Sequence, residues 1–209
     1  RKISHRPSLV EEGIEILRRS WSGEAVNFEG KRFAVGDLKI TPQPNRAPKV
    51  LLGGMAPPAI DRAARIADGF LCTGGIGMDT YVECLAANGK KPEDGNIILG
   101  CWAIIAEDPE AEAERVGPHV LYQSNEYIRW GAFGPPDQTP LFPDAKTAIE
   151  NGLYELWDAD MAVEKLSSMI KQYPQISDIH FWAQFPGESV ESGDRRLQYI
   201  AEKVLPRLR

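Results

Sequence analysis

The chain has the composition of an acidic protein that is long enough to bury a sizeable core. It has 209 residues, 43% of them hydrophobic, and a formal net charge of -6. This charge argues against a sequence-independent grip on nucleic acid, which needs clustered Lys and Arg. No run approaches the roughly 18 to 20 consecutive apolar residues of a membrane helix. We therefore expect neither nucleic acid nor membrane as a partner, and one α/β domain across residues 1–209.

The cysteines indicate the compartment rather than a site. Cys72, Cys84 and Cys101 are odd in number and show no CxxC or Cys/His spacing, so neither a disulfide framework nor a zinc site is predicted. A reducing cytoplasm fits this pattern. The chain begins at Arg1, with neither Met nor a secretion signal, which suggests that a further segment precedes it.

The first part of the chain predicts a helix and a hairpin. Apolar residues recur at helical spacing from Ser8 to Trp21, with Ser8 as the expected N-cap and Glu11 three residues on. Two short runs, Ala25 to Phe28 and Arg32 to Val35, flank a turn and predict the hairpin.

The next segments repeat a strand, a glycine-containing turn and a helix. The predicted strands cover about 49–52, 69–73 and 96–106, and the predicted helices cover 57–67, 78–88 and 109–116. Glycine and proline then break the pattern over residues 119–158, which we interpret as an insertion. Regularity returns with a helix over 160–173, a strand over 176–184 and a helix over 195–205.

Alternating strands and helices predict a parallel sheet with right-handed crossovers. We count barrel-type strands near residues 49, 69, 96 and 176, whereas a closed β/α barrel needs eight strands and about 250 residues. The prediction is the C-terminal portion of a TIM barrel, with strands 5 to 8 present and the N-terminal strands 1 to 4 absent. A complete doubly wound sheet is the alternative, but the first βα turn lacks the GxGxxG order.

Two glycine-rich turns are the candidate binding elements. Gly53 and Gly54 follow a predicted strand, and a proline at the first helical turn gives up an amide that the helix could not pair. The remaining amides and the positive end of the helix dipole favour a phosphate. The competing interpretation is that Gly53 and Gly54 simply make a tight turn and bind no ligand. The next strand ends in Thr73, Gly74 and Gly75, and barrel sites are commonly built from neighbouring βα loops.

Several segments occur in the order and spacing of a known family. They are residues 12–24, 26–33, 42–44, 53–54 and 63–70, together with the closing segment 201–208. In this order they resemble the luciferase-like monooxygenase superfamily, over nearly the whole chain except 119–158. The resemblance implies an oxidoreductase that uses FMN or the deazaflavin coenzyme F420, acts on a small molecule and forms a homodimer.

The same resemblance assigns the cofactor site. It implies that Gly53, Gly54, Met55 and Ala56 cradle the cofactor phosphate, with Thr73, Gly74 and Gly75 close by. Residues 68–75 resemble the deazaflavin branch, which passes a hydride without oxygen. FMN-using members commonly carry Ser or Thr at the positions of Met55 and Ala56, so we favour the deazaflavin.

The catalytic residues are not assigned, because the family's first four strands supply most of the ring pocket and the usual catalytic His, Trp or Glu. One alternative is therefore a shortened, non-catalytic flavin-binding scaffold. Another is a phosphosugar isomerase or aldolase on the same barrel, although no convincing Lys or Glu base ends a predicted strand.

Four residues are candidates for a substrate pocket, and four others for an uncovered barrel face. The pocket candidates are His180, Trp130, Phe133 and Arg195. Each also has a plainer interpretation as a packed or surface side chain.

The barrel-face candidates are Leu51, Leu71, Ile104 and Phe181. We expect this face to need either the missing barrel half or a second copy of the chain.

Overall fold

The computed structural model describes residues 2–151 and 154–208, which form two compact units. The first unit comprises residues up to 72 together with 76–97, and the second comprises 73–75 together with 98 onward. The elements in chain order are α1 (Arg6–Ser20), β1 (Val26–Glu29), β2 (Ala34–Leu38), β3 (Leu51–Gly53), α2 (Pro57–Ile66), β4 (Gly69–Thr73), α3 (Met78–Ala87), β5 (Ile97–Cys101), β6 (Ala103–Ile105), α4 (Pro109–Arg129), α5 (Ala145–Glu150), β7 (Glu155–Trp157), α6 (Ala159–Gln172), β8 (Ile176–Phe181) and α7 (Val190–Tyr199).

Helix α1 begins earlier than its sequence pattern predicts. Pro7 lies in the first turn, where its fixed φ favours helix initiation, and His5 occupies the N-cap position. Ser8 is therefore inside the helix, and its hydroxyl donates to the His5 carbonyl at 3.2 Å. The predicted cap at Ser8 is wrong.

The hairpin of the first unit is confirmed, and α1 holds its turn. Strands β1 and β2 are antiparallel, with Phe28 opposite Val35. The carboxylate of Glu12 accepts hydrogen bonds from the backbone amides of residues 31, 32 and 33, at 2.8 to 3.1 Å. One carboxylate thus satisfies amides that a hairpin turn would otherwise leave to water.

The predicted strand–turn–helix repeat is also present in the first unit. Strands β3 and β4 are parallel, with Leu51 opposite Gly69 and Gly53 opposite Leu71. Helix α2 buries Ile60 and two alanines, as its spacing predicts. Because the two strands run in the same direction, their carboxyl ends lie at the same edge of the pair.

In the second unit, the strand predicted over 96–106 is interrupted at Trp102. It divides into β5, which lies beside β8, and β6, which pairs in parallel with β7. Ala103 is opposite Glu155 and Ile105 is opposite Trp157. Sequence reasoning missed β7, because three residues carry too little periodicity to identify a strand.

Helix α4 is more than twice as long as the predicted helix over 109–116. It runs from Pro109 to Arg129 and passes through Gly117 and Pro118. Tertiary packing overrides the local signal, because Val116 and Val120 are fully buried on its inner face. The segment 119–158 thus holds the second half of α4, α5 and β7. Its status as an insertion in a single domain stays a prediction.

The last helix also begins earlier than expected. Strand β8 ends at Phe181 and α7 begins at Val190, rather than at 184 and 195. The hydroxyl of Ser189 accepts from the Ser192 amide at 3.3 Å, an N-cap that the pattern of apolar residues did not reveal. A π-helical turn, Ile200–Val204, continues α7.

The expected uncovered barrel face is only partly observed. Leu71 is 41% exposed and Leu51 is half-buried. In contrast, Ile104 is fully buried beside Val116, and Phe181 packs against the second unit's other core cluster. The expectation is wrong for Ile104, because its own unit already covers it, whereas Phe181 is only partly buried.

Within residues 2–151 and 154–208, no helix is long and apolar enough to cross a membrane. Among the described residues, Cys72, Cys84 and Cys101 form no disulfide. The described residues contain no cluster of three or more His, Cys, Asp or Glu that could hold a metal ion.

Candidate cofactor and substrate sites

The turn after β3 has a backbone that tolerates little beyond glycine. A Cβ added at Gly54 would lie 2.6 Å from the Cβ of Ala59, and one added at Gly53 would lie 3.2 Å from the carbonyl oxygen of Leu71. Contacts below 3.0 Å force a shift of the neighbouring atoms. Gly54 therefore allows the chain to enter α2 closely, and Gly53 allows β3 to lie beside β4.

The donors at this turn belong to the loop, not to the helix. Pro57 and Pro58 have no N–H, and the amides of Ala59 and Ile60 both donate to the Ala56 carbonyl, at 2.8 and 3.1 Å. This corrects the expectation that the amides of the helix point at a ligand. The amides of Met55 and Ala56 have no hydrogen-bond partner within the described residues. Both residues are exposed, so these amides are available to an anion.

The second glycine turn differs from the first. Gly74 and Gly75 have φ values of 57° and 81°, in the left-handed region where a Cβ is strained. The Gly74 amide donates to the Gly100 carbonyl at 2.8 Å, so it is already used. Thr73 is exposed and offers a hydroxyl. The role of Gly74 is therefore conformational, whereas Thr73 retains a free polar group.

The structure places the four predicted substrate-pocket residues on separate elements. His180 and Arg195 are exposed on β8 and α7. Phe133 is 41% exposed in the segment after α4. Trp130 is 73% exposed and contacts Tyr127 edge-on, at 5.6 Å between ring centroids. Only Trp130 joins an aromatic cluster, and the pocket assignment of all four stays a prediction.

That aromatic cluster centres on Trp102, which sequence reasoning did not single out. Its ring stacks on Tyr154 at 5.3 Å and lies 5.7 Å from Tyr127 and 5.5 Å from Trp182. Burial, with a smaller contribution from Tyr127, raises the pKa of Tyr154. No sequence signal identifies this cluster, because its members come from four separated segments.

A buried ionic network, also missed, holds the loop between β8 and α7. We call residues 182–189 the β8–α7 loop. The carboxylate of Glu188 accepts from both terminal nitrogens of Arg196, from the Ser192 hydroxyl and from the Phe185 amide. The side chains of Glu188 and Arg196 are 2% and 4% exposed. Such a pair is stable only when every polar atom is satisfied.

Arg196, rather than the predicted Arg195, is the arginine with a defined role at this position. It also donates to the Ala183 carbonyl and pairs with Glu112, and its guanidinium lies 5.3 Å from the centre of the Phe185 ring. Burial opposes ionisation of Glu188, but hydrogen bonds from Arg196, Ser192 and the Phe185 amide outweigh it and lower its pKa to about 2. Helical spacing could have found Arg196, since it places residues 192 and 196 on one face.

Comparison of sequences connects the chain to one family. The profile of the luciferase-like monooxygenases matches residues 2–166. An F420-dependent glucose-6-phosphate dehydrogenase of Amycolatopsis mediterranei is 32% identical over 227 residues, covering 100% of this chain and 63% of the relative. The chain thus spans less than two thirds of that relative's length.

Comparison of structures supports the same fold. The F420-dependent tetrahydromethanopterin reductase of Methanopyrus kandleri matches with a TM-score of 0.70 at 15% identity, covering 96% of this chain and 63% of the reductase. An FMN complex of the oxygenating component of 3,6-diketocamphane monooxygenase from Pseudomonas putida matches with a TM-score of 0.66 at 17% identity. The match covers 96% of this chain and 63% of the monooxygenase chain. The predicted α/β partial barrel is confirmed. The chain belongs to the luciferase-like monooxygenase family.

Proposed function

We propose that the protein containing this chain is a flavin- or deazaflavin-dependent oxidoreductase, and that residues 53–56 hold the cofactor phosphate. The observation that carries the proposal is the pair of exposed, unpartnered amides of Met55 and Ala56 at the carboxyl end of β3. Exposed amides without a protein partner are left to water or to a ligand. Two such donors side by side fit an anionic ligand.

The chemistry of the turn suits a phosphate. Amide donors bind an anion with charge-assisted hydrogen bonds, and the positive end of the α2 dipole adds about 0.3 to 1 kcal/mol. Thr73 supplies a further hydroxyl, while Gly74 and Gly75 set the path of the second turn. The cofactor itself supplies the hydride or oxygen chemistry, and these residues bind and orient it.

We infer that the cofactor is coenzyme F420 rather than FMN. Met55 and Ala56 lack side-chain hydroxyls at the positions where the FMN-using members commonly have them. The relatives from Amycolatopsis mediterranei and Rhodococcus erythropolis, both 32% identical, are named as F420-dependent glucose-6-phosphate dehydrogenases. A sugar phosphate is therefore the first substrate to test.

Ala56→Pro tests the proposed phosphate site. Ala56 has φ −81° and already precedes a proline, so a proline removes its amide hydrogen without changing φ. Lys91 has φ −76° and also precedes a proline, so Lys91→Pro is the matched control. Loss of one hydrogen bond to a charged group costs about 1.5 to 3 kcal/mol.

Calorimetry with the full-length protein should show F420 binding that weakens at least about tenfold in Ala56→Pro and stays unchanged in Lys91→Pro. Equal affinities in the wild type and Ala56→Pro would contradict the site. Tighter binding of FMN than of F420 would contradict the choice of cofactor. F420 reduction by glucose 6-phosphate, followed by absorbance, tests the substrate class. Cofactor binding without turnover of any sugar phosphate would instead support a non-catalytic scaffold.

A further inference from the structure

The second unit carries a groove that is separate from the residues assigned to the cofactor. It lies between α4 and α5 and has a volume of about 720 Å³, within the range of roughly 300 to 1,000 Å³ that small-molecule sites occupy. Its walls are mainly apolar, with Leu121, Ile149 and Leu156 among the lining residues. We call it the α4–α5 groove.

The charges around the α4–α5 groove are predominantly negative. Lys146 pairs with Glu150 at 3.7 Å, and Asp144 accepts from the Thr147 amide at 2.8 Å, so these groups are engaged. Glu110 and Glu114 also line the groove, one helical turn apart on α4. Neither carboxylate has an ionic partner within the part of the chain that the structure describes.

The backbone adds another acceptor beside these carboxylates. Pro118 lies inside α4 and lines the groove. Because proline has no N–H, the carbonyl of Glu114 loses its usual helical donor. The neighbouring Gly117 allows α5 to approach, since a Cβ there would lie 3.1 Å from the Cβ of Ala145. One end of the groove therefore presents two carboxylates without an ionic partner among the described residues, beside a carbonyl that Pro118 deprives of its usual helical donor.

We propose that the α4–α5 groove binds a small amphipathic organic cation. The apolar body of such a ligand would contact Leu121, Ile149 and Leu156. Its ammonium or guanidinium group would donate to the carboxylates of Glu110 and Glu114 and to the Glu114 carbonyl. Charge complementarity selects this class: Glu110 and Glu114 are exposed, so an anion would meet their repulsion, and a neutral amphiphile would gain no charge-assisted hydrogen bond from them.

Octylamine, octanol and octanoate test the proposal, because they share one chain length and differ in charge at neutral pH. Calorimetry with the full-length protein should show octylamine binding at least about tenfold tighter than octanol, and no octanoate binding. Glu110→Gln combined with Glu114→Gln should abolish the preference for octylamine over octanol. Glu107→Gln combined with Asp137→Asn removes the same charge at exposed positions outside the groove and should leave binding unchanged.

Ile149→Trp should block both octylamine and octanol by filling the groove, and unchanged circular dichroism would show that the variant folds. Three results would overturn the proposal. They are absence of octylamine binding at millimolar concentration, binding that Ile149→Trp leaves intact, and an equal loss of binding in the two charge-matched double variants.

Discussion

Two loops that join a strand to the next helix are built in different ways. The turn over residues 53–56 leaves the Met55 and Ala56 amides unpartnered and exposed. In the β8–α7 loop, side chains bond several backbone groups: Glu188 accepts from the Phe185 amide, Arg196 donates to the Ala183 carbonyl, and His119 Nδ1 lies 3.0 Å from the Pro186 carbonyl. We propose that the first loop receives a ligand, whereas charged side chains hold the second in place.

The difference teaches where to look for binding in this chain. A polar group that already has a hydrogen-bond partner gains little from an anion, whereas an unpaired amide gains a charge-assisted hydrogen bond. Charged side chains are therefore a poor guide to an anion site in this chain, because the buried charges of Glu188 and Arg196 pair with each other. The glycine turn has no charged side chain, and yet it has the free donors.

Among the changes that test this comparison, Arg196→Met should cause the largest loss of stability. It leaves the buried Glu188 carboxylate without its main partner, so we expect a loss of about 3 to 5 kcal/mol in the free energy of unfolding. Arg195 is exposed next to it, and Arg195→Met should change stability by less than about 0.5 kcal/mol. Urea denaturation measures both. Similar losses in the two variants would show that the network does not hold the loop.

Acid should weaken the β8–α7 loop through the same carboxylate. The folded-state pKa of Glu188, about 2, lies below its ordinary 4.5, so its stabilising contribution is present above pH 4.5 and is lost as the pH falls towards 2. The loss amounts to at most about 3 kcal/mol. Urea denaturation over this pH window should show a steeper decline in the wild type than in Glu188→Gln. Parallel declines would contradict the assignment.

Gly54→Ala, in the turn over residues 53–56, should cause an intermediate loss of stability. The added Cβ would lie 2.6 Å from the Cβ of Ala59, so the entry to α2 must shift, at a cost of about 1 to 3 kcal/mol. Gly36→Ala is the control, since a Cβ there meets no atom within 4 Å. Thermal unfolding should separate the two variants. A neutral Gly54→Ala would mean that the turn is looser than its geometry indicates.

Arg115→Gln should have the smallest effect, although Arg115 belongs to the same network. Its side chain is 42% exposed and lies 3.3 Å from Glu188, and exposed ion pairs contribute at most about 1 kcal/mol. A double-mutant cycle with Glu188→Gln should therefore give a small coupling energy. A coupling as large as that between Glu188 and Arg196 would show that burial does not decide the strength of these contacts.

Much of the first unit could be predicted from its sequence. Glycine, proline and helical spacing are local signals, and they located the hairpin, the parallel pair β3 and β4, and the turn at Gly53 and Gly54. Local signals could not show which backbone amides of the turn already have hydrogen-bond partners. The second proline of α2 and the bonds to the Ala56 carbonyl decide which donors remain free.

The second unit was harder to predict because distant contacts decide its structure. Pro118 breaks an isolated helix, but packing of Val116 and Val120 carries α4 past it. The partners of Arg196 come from residues 112, 183 and 188, separations that no short pattern encodes. Sequence reasoning chose Arg195, although helical spacing places Arg196 on one face with Ser192.

The thiol of Cys101 gives the second unit a native reporter of its own opening. Cys101 is 5% exposed in the core with Trp157 and Leu166, and burial, followed by the charge of Glu155, raises its pKa to about 12. Thiolates are the reactive species, so alkylating reagents will spare Cys101 while this core is closed. Its rate of modification, read by mass spectrometry, then measures how often the core opens.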